Sequence, residues 1–276
     1  MSQVNNDQID STVGATVETI NTGGSAPIVL VCEHASKTIP ASLDGLGLSR
    51  KAAESHAAWD PGALAVALLL SKQLDAPLVA QRISRLVYDC NRPPEAPSAM
   101  PEKSEIYDVP GNVCLSDEQR LTRTEQYYRP FQRAVRKALD GKLAASQSPI
   151  MVTVHSFTPV YNGKQRDVEL GILHDDDTRF ADALLAVLEG NTDFNVQRNE
   201  PYGPEDGVTH TLVCQAQSRG ILNVMIELRN DLIAKVEGQE KLAKLLGDAI
   251  LHGLSGFKES SDRRDEGSDS TTRAAR

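Results

Sequence analysis

Three runs of β-branched and aliphatic residues end on side chains that can bind metal or move protons. The first is Ala26-Pro27-Ile28-Val29-Leu30-Val31-Cys32-Glu33-His34, the second Ile150-Met151-Val152-Thr153-Val154-His155, and the third Leu222-Asn223-Val224-Met225-Ile226-Glu227. Short continuous apolar runs of this kind read as strands buried on both faces. Between them lie segments with helical spacing. In Pro61–Leu74, Ala63, Val66, Ala67, Leu70 and Leu74 recur at three- and four-residue intervals, with Asp60 and Pro61 as a helix start. Asp117–Leu143 reads as a long amphipathic helix interrupted near Pro130, and Thr178–Leu188 and Gln239–Leu254 as two more. Pro77–Ala80, Leu86–Tyr88, Leu170–His174 and Val208–Gln215 are shorter strand candidates, and Asn162-Gly163 marks a turn. Strands alternating with helices predict an α/β fold with a mixed, mainly parallel sheet flanked by helices.

The flanks differ from the body. Residues 1–24 are rich in Asn, Thr, Ser and Gly and predict a disordered N-terminal segment. Residues 258–276 mix acidic, basic and hydroxyl residues with almost no apolar ones and predict a disordered C-terminal tail. Residues 25–257 read as one domain. The net charge of −9 argues against non-specific nucleic-acid binding, which depends on neutralising phosphates. No apolar run reaches the length of a membrane span. Four scattered cysteines without CxxC spacing read as reduced thiols, hence a cytoplasmic protein. A homo-oligomer is compatible with the sequence but not specified by it.

Open α/β sheets bind ligands beyond the carboxyl ends of their strands, where His34, His155 and Glu227 stand. Two imidazoles offered from separate strands suit a divalent metal, and a catalytic zinc site takes three protein ligands. Asp60, His56 and Glu33 are the candidates for the third. Asp60, placed where loops converge, ranks first. Glu33 and His34 point to opposite sides of an ideal strand and share an ion only if the backbone kinks. Asp60 also reads as a plain helix cap. Glu227, a carboxylate closing an apolar run, is the candidate general base, with an ion pair to Arg229 or another arginine as the alternative. Arg85, Asn91 and Arg92 flank a short apolar stretch and form a cluster suited to an anionic, amino-acid-like substrate. The hydroxyls after His155 (Ser156, Thr158) suit ligand orientation, and Tyr202 stands in a turn from which a phenol can reach a pocket. A serine nucleophile or a nucleotide cofactor finds no motif here.

Taken in order, several blocks resemble the N-formylglutamate amidohydrolase family, from about Val29 to Ile233. They are Val31-Cys32-Glu33-His34-Ala35-Ser36, His56-Ala57-Ala58-Trp59-Asp60-Pro61-Gly62-Ala63, Ser84-Arg85-Leu86-Val87-Tyr88-Asp89-Cys90-Asn91-Arg92-Pro93, Pro110-Gly111-Asn112, His155-Ser156-Phe157-Thr158-Pro159, Asn199-Glu200-Pro201-Tyr202 and Ile226-Glu227-Leu228-Arg229-Asn230-Asp231-Leu232. The resemblance implies a phosphorylase/hydrolase-like fold similar to zinc carboxypeptidases and aspartoacylases, with one zinc ion at the strand ends. It implies His34, His155 and Asp60 as ligands, Glu227 as the base, and Arg85, Asn91, Arg92 and Tyr202 as substrate contacts. The related enzymes have a His-x-x-Glu ligand pair. Here Lys37 stands in the glutamate's place, and Glu33-His34-Ala35-Ser36 departs from the Pro-His-Ser-Gly of other members, so the chain resembles a divergent branch. The expected activity is hydrolysis of N-formyl-L-glutamate to formate and glutamate. A deacylase for another N-acyl amino acid or small peptide, and a non-catalytic ligand-binding or regulatory member, are the alternatives.

Overall fold

The computed structural model describes the backbone of residues 16–269 and side chains through 257. Its centre is a seven-stranded sheet in the order β1-β3-β2-β6-β11-β9-β10. The first half of the chain supplies β1 (Val17–Ile20), β2 (Ile28–Cys32), α1 (Arg50–Glu54), α2 (Ala63–Leu74) and β3 (Leu78–Gln81). A small hairpin, β4 (Lys103–Ser104) and β5 (Tyr107–Asp108), precedes α3 (Asp117–Arg123) and α4 (Arg129–Ala144). Then come β6 (Ile150–Phe157), a second hairpin of β7 (Val160–Tyr161) and β8 (Lys164–Gln165), β9 (Leu170–Leu173), α5 (Arg179–Leu188), β10 (Val196–Arg198), β11 (Leu222–Arg229) and α6 (Val236–Asp269).

Strands β3, β2, β6 and β11 run parallel. β9 lies antiparallel to β11, and β1 antiparallel to β3. The sheet is therefore mixed and mainly parallel, as the alternating strands and helices predict. Alternation along each strand divides the core in two. Ile28, Leu30, Val152, Val154, Val224 and Ile226 face α2, α5 and α6. Val29, Val31, Val79, Met151 and Met225 face α4, where Phe131, Val135 and Leu139 meet them. Both faces are covered, which explains why the strands read as continuous apolar runs.

Several local expectations change. Val17–Ile20 pairs with Leu78–Gln81, so the part of the N-terminal segment from residue 16 onward is ordered; residues 1–15 lie outside the described residues. The last helix continues through Asp269 into the expected tail, of which residues 270–276 lie outside the described residues. Leu86–Tyr88 is a turn, because the Ser84 hydroxyl accepts the Leu86 N–H and its carbonyl the Val87 N–H. Leu212–Ala216 is a π-helical turn rather than a strand, with the Thr211 N–H donating to Asn91 Oδ1. The break near Pro130 is real: a π-helical turn at Thr124–Tyr128 separates α3 from α4. Helix α2 begins at Ala63 after Gly62, not after an Asp60 cap. Gly62 has φ 84°, and a Cβ there would fall 2.7 Å from the Ile233 carbonyl oxygen.

No described helix is long and apolar enough to cross a membrane. Phe180 on α5 is fully buried and packs at 6.1 Å from the Phe257 ring. Phe180→Ala is expected to cost about 3–5 kcal/mol, read as a lower urea midpoint with an unchanged slope.

Candidate metal centre and substrate cavity

Strands β2 and β6 are neighbours, and their carboxyl ends bring His34 and His155 together although 121 positions separate them. His34 Nδ1 lies 3.2 Å from His155 Nδ1. Asp60 Oδ2 lies 3.2 Å from the first and 3.0 Å from the second. All three residues are buried. Donors on a tetrahedral ion with arms of roughly 2.0–2.1 Å stand about 3.3–3.4 Å apart, close to this triangle. Asp60 is thus no helix cap: its carboxylate also accepts the Ser156 N–H at 3.2 Å. The Ser156 hydroxyl, expected beside the ligand, donates to the Pro61 carbonyl instead.

Each imidazole is held from behind by a buried carboxylate. Asp89 Oδ1 is 2.8 Å from His34 Nε2, and Glu33 Oε2 is 3.1 Å from His155 Nε2. The hydrogen bond to Asp89 fixes the His34 tautomer that offers Nδ1 as a donor atom, whereas Glu33 faces His155 at ion-pair distance without a hydrogen bond. Arg85 reaches Asp89 at 2.8 Å and Asp60 at 3.4 Å. With neutral imidazoles, Glu33, Asp60 and Asp89 set three negative charges against one guanidinium. A divalent cation would balance that set, so the residues present fit one. Protonation is the other route to balance, and it governs the metal-free pKa values. Burial opposes charging His155, but Glu33 and Asp60 outweigh burial and raise its pKa well above the ordinary range. Burial likewise opposes ionising Asp60 and Asp89, yet His34 and its neighbours hold both well below the usual carboxylate range.

Glu227 behaves differently. It is the register partner of His155 on the adjacent strand β11 and is buried. Its Oε2 has no hydrogen-bond partner among the described residues. Burial is the main cause that pushes its pKa up to about 7. Arg229 pairs with Glu169 and Asp231, not with Glu227. On the other side of Glu227 lies Gly171 of β9, where a Cβ would collide with the Glu200 carbonyl oxygen; glycine lets the loop carrying Tyr202 close over the strand end.

These groups open into a cavity of about 500 Å³. Arg85, Asn91, Arg92 and Tyr202 all line it, but their heads are differently engaged. Arg85 is occupied by Asp60 and Asp89. The Asn91 amide is spent on backbone, donating to the Val208 carbonyl and accepting from the Thr211 N–H. Arg92 uses Nη1 on the carbonyls of Asn91 and Gly207 and forms no ion pair among the described residues. The Tyr202 hydroxyl accepts from Arg166 at 3.0 Å, and burial raises its pKa to about 12. His56 stands in the wall, 2.7 Å from Glu105 Oε2, outside the His34–Asp60–His155 group. Glu105 Oε1 also accepts the Asn162 N–H, joining the two hairpins at the cavity's edge.

Three residues escape the reading of the sequence. Asp89 lies among other polar residues in the Arg85–Arg92 stretch, four positions after Arg85, a spacing that suits an ion pair but does not show which imidazole it faces. Glu33 is a candidate third ligand in the sequence, and its role behind His155, outside the triangle, is what the sequence misses. Arg166, in a polar segment after Asn162-Gly163, carries no local signal at all.

The N-formylglutamate amidohydrolase family model matches residues 26–234. The crystal structure of a gene product from Agrobacterium tumefaciens is 55% identical, with a TM-score of 0.87 over 89% of this chain and 97% of that one. The crystal structure of N-formylglutamate amidohydrolase from Ralstonia eutropha JMP134 is 18% identical, with a TM-score of 0.63 over 89% of this chain and 99% of that one, a likeness of fold. No curated protein matches. The family model covers six of the seven strands of the sheet, every residue of the buried triangle and Glu227, and the chain belongs to the N-formylglutamate amidohydrolase family.

Proposed function

We propose that the protein is a zinc-dependent amidohydrolase that cleaves N-formyl-L-glutamate to formate and glutamate. The reading is carried by one juxtaposition: the His34–Asp60–His155 triangle and the buried Glu227 share a cavity. Membership of the family supports the acyl-amide chemistry. The nitrogen and carboxylate donors suit zinc, and four free cysteines support a cytoplasmic setting.

His34, His155 and Asp60 would hold the zinc ion, which would supply Lewis-acid polarisation of the acyl oxygen and a more acidic water. The remaining work belongs to side chains. Arg92 offers free N–H groups to a substrate carboxylate, so that binding becomes orientation. Glu227, with a pKa near neutrality, takes a proton from the attacking water as the new C–O bond forms. It returns that proton to the amide nitrogen as the C–N bond breaks, releasing the amine of glutamate. Arg85 and Asn91 act from behind: one ties Asp60 to Asp89, the other fastens the 208–211 segment to the cavity wall.

Purified protein is expected to carry about one divalent ion per chain by elemental analysis. His155→Ala should abolish both the ion and turnover of N-formyl-L-glutamate. Glu227→Gln should keep the ion and lower kcat by about 10²–10⁴-fold. A variant that releases formate at the wild-type rate would overturn the role of Glu227.

Glu227 also has a pH signature in the metal-free protein. Its folded pKa of about 7 exceeds the ordinary 4.5, so the stability it contributes is complete below pH 4.5 and is lost as pH rises through 7. Glu227→Gln cannot lose it. The variant's stability relative to wild type should therefore rise between pH 4.5 and pH 8, by on the order of 1–3 kcal/mol. Urea unfolding of the two metal-free proteins across that range measures the difference.

A further inference from the structure

Arg166 closes the base of the β7–β8 hairpin, its N–H donating to the Pro159 carbonyl at 2.8 Å. Its guanidinium lies over the rings of Tyr161 and Tyr202, at 4.6 and 4.7 Å from their centroids, with Phe157 at 5.7 Å. Nη1 donates to the Tyr202 hydroxyl at 3.0 Å and to the Thr158 carbonyl at 3.4 Å. Nε and Nη2 have no hydrogen-bond partner, and Arg166 forms no ion pair, among the described residues. Yet it lines the same cavity as Glu227.

A guanidinium stacked between aromatic faces keeps its in-plane N–H edge free, and that edge matches a carboxylate in bidentate fashion. The rings also hold the side chain in place, which lowers the ordering cost of binding. The three arginines of the cavity therefore differ. Arg85 is neutralised by Asp60 and Asp89, whereas Arg92 and Arg166 present two positive charges that no carboxylate of the described protein meets.

We propose that Arg166, caged by Tyr161 and Tyr202, determines specificity by binding a second carboxylate on the substrate, while Arg92 holds the first. The proposal rests on the deacylase reading and deepens it: it selects N-acyl derivatives of acidic amino acids over neutral ones of the same shape. Neither the Arg85–Asn91–Arg92 cluster nor the buried triangle makes that distinction.

The test compares N-formyl-L-glutamate with N-formyl-L-glutamine on the wild type, Arg166→Gln and Arg166→Lys. Calorimetry of glutarate and butyrate binding runs in parallel. Hydrogen bonds to a charged partner are worth enough that Arg166→Gln should lower kcat/KM for the glutamate compound by about 10- to 100-fold, mainly through KM. The glutamine compound should change by less than about threefold, and glutarate binding should weaken while butyrate binding does not. Arg166→Lys keeps the charge but not the fork, so it should lose part of the glutamate preference. Should Arg166→Gln fail to show a cooperative melt, Arg166→Lys decides alone. Equal losses on both substrates, or an unchanged preference, would overturn the proposal. If the wild type hydrolyses neither compound, the deformylase reading falls, and the glutarate-against-butyrate comparison still decides what Arg166 binds.

Discussion

Charge balance at the carboxyl ends of β2 and β6 constrains the rest of the molecule. Glu33, Asp60 and Asp89 are all nearly inaccessible to water, and bare carboxylates in such a place cost several kcal/mol each. Each is instead placed against an imidazole, and two are bridged by Arg85. The surrounding backbone serves that arrangement. Ser156 N–H steadies Asp60, Asn112 donates to the Leu86 and Pro101 carbonyls to fix the segment before Asp89, and Arg123 anchors Asn112 in turn. The polar shell reaches from the sheet edge to α3 without passing through either apolar core.

Against that shell, Glu227 is the electrostatic exception. Asp60 and Asp89 are forced to ionise by the positive groups around them, whereas Glu227 has burial acting on it with weaker compensation. Carboxyl groups on one sheet edge thus divide into permanent anions and one that exchanges its proton near neutrality. The division follows from neighbours rather than residue type.

Much of this was legible in the amino-acid order. Continuous apolar runs disclosed β2, β6 and β11, and the residues closing those runs disclosed His34, His155 and Glu227, although β6 and β11 run two residues further, to Phe157 and Arg229. Helix α2 was legible from Ala63, Val66 and Leu70. What stayed hidden depends on chain segments far apart. Arg166 gains its setting from Tyr202, 36 positions away, and Asp89 from His34, 55 positions away. Strand β1 (Val17-Glu18-Thr19-Ile20) is too short to show a pattern in the sequence, and its pairing with β3 makes it a strand. Val208–Gln215 has strand-like composition, yet the Asn91 side chain occupies the Thr211 N–H and the backbone coils. Asp60 read equally well as a cap or a ligand until Gly62 took the cap position.

The place of β6 between β2 and β11 has a kinetic meaning. His34 comes from the first third of the chain and His155 from the middle, and the two meet through the pairing of β2 with β6. Closing so long a loop is slow, and the His34–Asp60–His155 triangle has no form before it closes. The buried triangle is therefore the product of a finished scaffold rather than the nucleus around which it assembles.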